Sequence, residues 1–201
     1  MKDFTSSYKT YAHEVADSTF VGMKDDINKL MSLVIYKGGC NHPIVSIWGM
    51  GGSGKTTIAR RIYNDGKIRH YFDAFAWVCI SQQCQIRKNL EEILQHIFTD
   101  AKSKEEMKSM ADGELVEELY KQQKEKKCLV VLDDVWNRID WDCLKRAFLT
   151  MESYSKILLT TRNKKVAEVG TIHKMNYLDE HEAWELLQKR ALKFNNENFR
   201  G

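Results

Sequence analysis

The chain has 201 residues, a length typical of one full domain with room for the start of a second, and its 43% hydrophobic and 29% charged residues exclude a globally disordered protein. The formal net charge of +3 is spread along the chain without a basic stripe, so we expect no nucleic-acid partner. The longest apolar run, residues 74–80, is too short to span a membrane, and the absence of a signal peptide predicts a cytoplasmic protein.

Helical and strand patterns alternate along the chain. Apolar residues at spacings of three and four predict a helix at Lys24–Ile35, and a β-branched run predicts a strand at Ile44–Trp48. A glycine-rich turn follows, and Lys55–Tyr63 resumes a helical period. The same criteria predict further strands at residues 72–80, 128–132, 156–161 and 173–178. They predict further helices at residues 86–98, 114–122, 141–149, 164–169 and 179–194.

Continuous apolar runs such as residues 129–132 (LVVL) are typical of strands that helices bury on both faces of a parallel sheet. The predicted fold class is therefore α/β: a doubly wound, mainly parallel five-stranded sheet with helices on both faces. We expect the charged stretch at residues 101–112 to be a solvated connection, and the five tryptophans to pack in the core. The five cysteines form no C-x-x-C pair, which favours reduced thiols and not a zinc site.

A glycine-rich segment, GMGGSGKT at residues 49–56, lies between a predicted strand and a predicted helix and fits the P-loop pattern G-x-x-x-x-G-K-[ST]. Glycines let the backbone amides turn inward, and the helix N-terminus adds partial positive charge, so the segment predicts a nucleotide phosphate site. Lys55 is expected to reach the β and γ phosphates, and Thr56 to offer its hydroxyl to Mg²⁺. The other residues predicted to bind the cofactor here are Gly49, Gly51, Gly52, Ser53, Gly54 and Thr57.

Polar residues end two of the other predicted strands. A P-loop works with a carboxylate at the end of another strand, and Asp133 is expected to hold Mg²⁺ there through water. Asp134 is a candidate to orient or deprotonate an attacking water; a helix cap or turn is the alternative interpretation of either aspartate. Arg162 ends the strand at residues 156–161, at the edge where open α/β sheets bind ligands, and is expected to meet the γ phosphate. Asp134 and Arg162 are therefore the catalytic candidates.

Five segments resemble the NB-ARC nucleotide-binding module of plant disease-resistance proteins. They are the P-loop at residues 49–57, FDAFAWVCISQ at 72–82, LVVLDDVW at 129–136, KILLTTR at 156–162, and YLDEHEAWELLQKRALKF at 177–194. The second and third segments are similar to the coiled-coil branch of the nucleotide-binding leucine-rich-repeat immune receptors.

The resemblance implies a molecular switch that holds ADP in a closed resting state and ATP in an open state that assembles into a signalling oligomer. Slow ATP hydrolysis would reset it. The resemblance also implies that Val21 and Gly22 line the adenine, that Thr56 and Asp133 hold Mg²⁺, and that Arg162 senses the γ phosphate.

By the same resemblance the chain divides into a linker remnant at residues 1–20, a P-loop nucleotide-binding domain at 21–178 and the start of a helical ARC subdomain at 179–201. GLPL and MHD segments, leucine-rich repeats and an upstream coiled coil are missing from the sequence, which is therefore expected to be a truncated fragment of such a receptor. Self-association, or contact with other domains of the full-length receptor, is the expected partnership besides the adenine nucleotide.

Two other functions stay open at this point. A P-loop phosphotransferase would need an arginine-rich lid and an acceptor pocket, and no cluster of arginines follows residue 162. An interaction fragment with a vestigial nucleotide site would show equally weak binding of ADP and ATP.

Overall fold

Parallel strands form one sheet in the residues that the computed structural model describes, which are 21–35, 43–98, 101–148 and 154–198. The strands are β1 Ile44–Trp48, β2 Ala74–Cys79, β3 Cys128–Asp133, β4 Lys156–Thr161 and β5 Thr171–Lys174. Their order is β2-β3-β4-β1-β5, and all four neighbouring pairs run parallel. The predicted linker at residues 1–20 lies outside the described residues.

Helices connect the strands and cover both faces of the sheet. They are α1 Lys24–Ile35, α2 Lys55–Tyr63, α3 Gly66–Tyr71, α4 Ile86–Ile97, α5 Ala101–Ser109, α6 Asp112–Glu125, α7 Arg138–Leu144, α8 Lys164–Ala167 and α9 Glu180–Asn198. A short 3-10 turn at Lys145–Ala147 follows α7. Within the described ranges, none of these helices has the length and apolar character needed to cross a bilayer.

Strand β3 shows why the sheet is buried on both faces. All six of its residues are buried, and alternate side chains enter two different hydrophobic clusters. Leu129 and Val131 pack with α1, α2 and α3, whereas Val130 and Leu132 pack with α4 to α8. The predicted doubly wound α/β fold is therefore confirmed, and in the described sheet it is parallel throughout.

The expectation of a solvated connection at residues 101–112 is wrong. Ala101–Ser109 forms α5, and the Met107 side chain is fully buried in the cluster that covers α4 and α6. Met107 is the large apolar residue of this helix and its other residues are mostly polar, so the apolar period that identifies a helix from sequence is missing. Helix α3 was likewise not predicted; Asp65 caps it by accepting a hydrogen bond from the Lys67 amide at 2.9 Å.

Two other expectations near the end of the chain differ from the structure. The last strand lies at Thr171–Lys174 and not at residues 173–178, because its hydrogen-bonded register against β1 begins at Val45 opposite Thr171. Trp184 was expected in the core, but its side chain is 59% exposed in the described part of the chain. Of the other tryptophans, Trp141 is buried, and Trp48, Trp77 and Trp136 are half-buried.

A buried contact between a histidine of β5 and an aspartate of α1 predicts a pH-dependent stability. His173 Nε2 lies 3.0 Å from Asp26 Oδ1. Burial lowers the pKa of His173 below its ordinary value of 6.5; Asp26 opposes this shift, and Lys29 adds to it. Because the unfolded chain then binds a proton that the native chain does not, the free energy of unfolding falls as the pH drops from about 6.5 towards the lowered pKa.

We expect His173 to contribute a slope of at most about 1.4 kcal/mol per pH unit in that window. Urea titrations at several pH values, on the native sequence and on His173→Gln, measure it. The difference between the two proteins isolates His173 from the other histidines. Identical pH profiles would contradict the prediction.

Candidate functional site

The loop between β1 and α2 has the backbone conformation that its glycines permit. Gly52 and Gly54 have φ values of 79° and 87°, in the left-handed region that residues with a Cβ rarely adopt. The Ser53 amide closes the turn by donating to the Met50 carbonyl at 3.3 Å. The Ser53 hydroxyl is buried without a hydrogen-bond partner among the described residues. The loop therefore contains an unused polar group, as expected of a cradle for a polar ligand.

Lys55 begins α2, and its side chain turns back over the loop. Its Nζ donates to the Met50 carbonyl at 2.6 Å, and the residue is only 6% exposed. Burial lowers the pKa of Lys55 below its ordinary 10.5, and Arg162 lowers it further, whereas Asp134 and Asp133 oppose the shift. The ammonium thus lies among groups from three elements, in a position where an anion would relieve its unfavourable environment.

Thr56 and Asp133 come together although they are far apart in sequence. Thr56 Oγ1 donates to Asp133 Oδ1 at 2.9 Å, and the buried hydroxyl of Thr160 donates to the same oxygen at 2.6 Å. Because β4 lies between β1 and β3, Asp133 is presented to the P-loop across one intervening strand. A hydroxyl and a carboxylate at this separation are the oxygen donors that Mg²⁺ takes beside phosphate and water. The residues present therefore fit a magnesium ion.

Asp134 and Arg162 pair with each other at the same edge of the sheet. Arg162 Nε lies 3.4 Å from Asp134 Oδ1, and its guanidinium stands over the Trp136 ring at 5.3 Å from the centroid. A Cβ added to Gly51 would be 3.3 Å from Arg162 Nη1, so the arginine also borders the P-loop. A cleft of about 170 Å³ opens here, lined by Asp134, Val135, Trp136, Arg162 and Asn163. The two catalytic candidates thus share one cleft beside the phosphate loop.

The segment before α1 also approaches the P-loop. A Cβ added to Gly54 would clash with Met23 Cε, and one added to Gly22 would clash with the Glu182 carboxylate of α9. Val21 is buried, and Gly22 has a φ of 71°. The segment at residues 21–23 therefore reaches the P-loop through Met23 and the start of α9 through Gly22. Of the remaining predicted residues, Gly49 packs against Met175, and Thr57 lies half-buried in the first turn of α2.

Thr160 is the residue of this edge that sequence reasoning missed. It was included in a strand but given no role, although it is fully buried and bonded to both aspartates. The available signal was a pair of threonines ending a strand that otherwise begins KILL. Buried hydroxyls need partners, and the nearest polar groups at that edge are the aspartates of the next strand.

A parallel sheet with a phosphate loop after β1 and a carboxylate two strands away defines the P-loop NTPase fold. The ORC2 protein of Aeropyrum pernix, solved as ADPNP–ADP complexes, shares this fold with a TM-score of 0.61 at 14% identity, over 91% of this chain and 55% of that one. A signal transduction ATPase with numerous domains, with a tetratricopeptide repeat sensor, from Pyrococcus horikoshii has a TM-score of 0.61 at 16% identity, over 90% and 26% of the two chains.

The chain belongs to the NB-ARC domain family, which matches residues 23–197 and confirms the family expected from the sequence. The putative disease resistance protein At1g50180 of Arabidopsis thaliana is 42% identical over 185 residues, 89% of this chain and 21% of the relative. The disease resistance protein RPP13 of the same plant is 36% identical over 182 residues, 88% and 22% of the two chains. The chain thus spans about a fifth of the length of these relatives.

Proposed function

We propose that this chain is the nucleotide-binding switch module of a plant disease-resistance receptor, which binds ADP and ATP with Mg²⁺ and resets through slow ATP hydrolysis. The observation that carries the proposal is the 2.9 Å contact between Thr56 Oγ1 and Asp133 Oδ1, beside the Lys55 ammonium. Two findings support it: the relatives are named disease resistance proteins, and one neighbour in fold was solved with ADPNP and ADP.

The phosphates would lie in the loop at residues 49–57, with Lys55 and the N-terminus of α2 supplying positive charge. Thr56 and Asp133 would hold Mg²⁺, which neutralises charge that develops on the transferred phosphoryl group when it is bound. Val21 and Gly22 would line the adenine, as the resemblance to the family implies, and the neighbouring Met23 borders the P-loop at Gly54. This binding domain would comprise residues 21–178, and residues 179–201 would begin a helical ARC subdomain.

Asp134 and Arg162 would set the rate and the nucleotide preference. In the structure Arg162 pairs with Asp134, so a γ phosphate would compete with that carboxylate for the guanidinium. Release of Arg162 would leave Asp134 free to orient an attacking water. Aspartate is shorter than the glutamate of many P-loop ATPases, so hydrolysis should be slow. Without an arginine finger, turnover should be on the order of 10⁻⁴ to 10⁻² per second.

Replacing Arg162 with alanine should affect the affinity for ATP more than the affinity for ADP. We expect ATP affinity to fall roughly tenfold, since a charge-assisted contact to the γ phosphate is lost, while ADP affinity changes by less than about twofold. Arg87→Ala is a matched control, because Arg87 also pairs with carboxylates but lies on α4. An equal loss for ADP and ATP would show that Arg162 does not sense the third phosphate.

Isothermal titration calorimetry of ADP and ATP with Mg²⁺, on the 201-residue chain, tests the proposal as a whole. Saturable binding of both nucleotides with slow phosphate release is the expected result. Equally weak binding heats for ADP and ATP would contradict the switch function and favour an interaction fragment with a vestigial nucleotide site. Phosphate transfer to a small acceptor faster than about 1 per second would instead identify a phosphotransferase.

In the full-length receptor, other receptor domains or further copies would be the partners of this module, and we place the receptor in the cytoplasm. Analytical ultracentrifugation with ADP and with ATP tests the self-association.

A further inference from the structure

One buried hydroxyl connects the two aspartates of the site. Thr160 Oγ1 donates to Asp133 Oδ1 at 2.6 Å and accepts from the Asp134 backbone amide at 2.8 Å. The residue is 0% exposed, on the central strand β4. A single atom, Thr160 Oγ1, therefore contacts both aspartates.

The orientation of this hydroxyl is fixed by its partners. A backbone N–H can only donate, so Oγ1 must be the acceptor in its contact with Asp134. The single hydroxyl hydrogen is then free for Asp133 Oδ1, and a carboxylate oxygen accepts it. One orientation of the Thr160 hydroxyl therefore satisfies both contacts, and in that orientation Asp133 Oδ1 must accept the hydrogen bond.

The two carboxylate oxygens of Asp133 therefore have different contacts. Oδ1 receives the hydroxyls of Thr56 and Thr160, whereas the described contact of Oδ2 is the Cys79 sulfur at 3.9 Å. A thiol at this distance is a weak donor. The two hydroxyls therefore hold the carboxylate by Oδ1, and Oδ2 has only this weak contact among those described.

The consequence for Asp134 concerns its backbone. Asp134 has a φ of 57°, the one positive value of a non-glycine residue in the described chain. This conformation is unfavourable for a residue with a Cβ and needs support from its surroundings. The bond from its amide to Thr160 supplies such support, and in this conformation the Asp134 carboxylate lies 3.4 Å from Arg162 Nε.

We propose that Thr160 is a positioning residue, which presents Asp133 to Mg²⁺ and Asp134 to Arg162 through a single hydroxyl. This inference rests on the proposed nucleotide function and adds a residue to the same site. Thr160 acts through the aspartates and needs no contact with the nucleotide. Loss of its hydroxyl should therefore weaken the coupling between Mg²⁺ and nucleotide and leave nucleotide binding without metal unchanged.

The test measures the dissociation constants of ADP and ATP in Mg²⁺ and in EDTA, and takes their ratio for each variant. Thr160→Val removes the hydroxyl at nearly constant shape, and Thr160→Ser restores it. Thr161→Val is the matched control: Thr161 is the next residue of β4, is equally buried, and bonds to the Val135 carbonyl and the Asn163 amide. Thr160→Cys, with its weak donor, replaces Thr160→Val should that variant not fold.

We expect the Mg²⁺ enhancement to fall about tenfold in Thr160→Val, to remain in Thr160→Ser and Thr161→Val, and to be reduced in Thr160→Cys. Binding in EDTA should stay within about twofold in all of them. An unchanged Mg²⁺ enhancement in Thr160→Val would overturn the role of Thr160 but not the proposed function. Loss of the Mg²⁺ enhancement in Thr160→Ser or in Thr161→Val would do the same. Absence of any Mg²⁺ enhancement in the native sequence overturns the proposed function as well.

Discussion

Replacing Lys55 with alanine is expected to weaken the binding of ADP and ATP roughly ten- to a hundredfold. The physical reason is the loss of a charge-assisted contact with the phosphates, worth about 1.5 to 3 kcal/mol. Lys55 is already ordered for this role, because its ammonium is held over the loop by the Met50 carbonyl at 2.6 Å and its residue is buried. Calorimetric titration of each nucleotide, in parallel on the two proteins, measures the change.

The same variant should unfold with nearly the native free energy. Burial and the nearby Arg162 both lower the pKa of Lys55, so its charge is unfavourable before an anion binds. Lys156→Ala is the control, since Lys156 is also buried and burial lowers its pKa, but it begins β4 at the other end of the sheet. Normal affinity in Lys55→Ala, or equal losses in both variants, would remove Lys55 from the site.

The two halves of the site differ in how far sequence could predict them. The P-loop is a local pattern: the spacing of glycines, Lys55 and Thr56 sets the backbone that a phosphate needs, so eight consecutive residues suffice. The approach of Asp133 to Thr56 depends instead on the strand order, which places β4 between β1 and β3. The sequence could still place Asp133 at the edge of the P-loop, because parallel strands expose their carboxyl ends at one edge.

The contacts of Thr160 and the pairing of Asp134 with Arg162 could not be predicted in this way. A buried threonine in an apolar strand has no sequence feature that distinguishes a polar partner from simple packing. The left-handed φ of Asp134 is equally invisible in the sequence, because aspartate enters that region only as a minority conformation. The approach of Thr160 to the aspartates depends on the register of β3 against β4, in which Leu132 stands opposite Leu159. The contact of Thr160 with the aspartates comes directly after this pair.

The fold itself was predictable where burial is strong. The apolar run of β3 predicts a strand covered on both faces, and the structure confirms it. Helix α5 was not predicted because Met107, which is buried, is its one large apolar residue, and its composition is otherwise that of a solvent-exposed connection. Trp184 shows the converse limit: a helical period places it with apolar neighbours, but periodicity does not say what packs against that face of α9.

Two half-buried tryptophans stabilise the edge that carries the site. Trp48 donates its indole N–H to the Arg162 carbonyl at 3.2 Å, and Trp136 donates to the Ile80 carbonyl at 3.2 Å. Trp48 therefore joins the end of β1 to the residue after β4, and Trp136 joins the loop after β3 to the residue after β2. Because these loops carry the catalytic candidates, the tryptophans contribute to the site through its scaffold, in agreement with the expectation that they are structural.

The backbone of the P-loop gives the second large expected effect. Gly54→Ala should lower the free energy of unfolding by at least about 1 to 2 kcal/mol, because an alanine Cβ is strained at a φ of 87° and would also clash with Met23 Cε. Met23 is flexible enough to move, so the backbone strain should dominate. Moving Gly54 would also displace the first amides of α2, and nucleotide affinity should fall together with stability.

Alanine variants at two other glycines distinguish the effect of backbone strain from that of a steric clash. Gly52→Ala carries a similar strain, at a φ of 79°, but its added Cβ meets nothing within 4 Å. Gly113→Ala lies in helix α6, also in open space, and should be neutral or stabilising by up to about 1 kcal/mol. Urea unfolding should therefore rank the variants Gly113→Ala, Gly52→Ala and Gly54→Ala in decreasing stability. A Gly54→Ala protein as stable as Gly113→Ala would mean that the loop does not hold the left-handed turn on which the phosphate cradle depends.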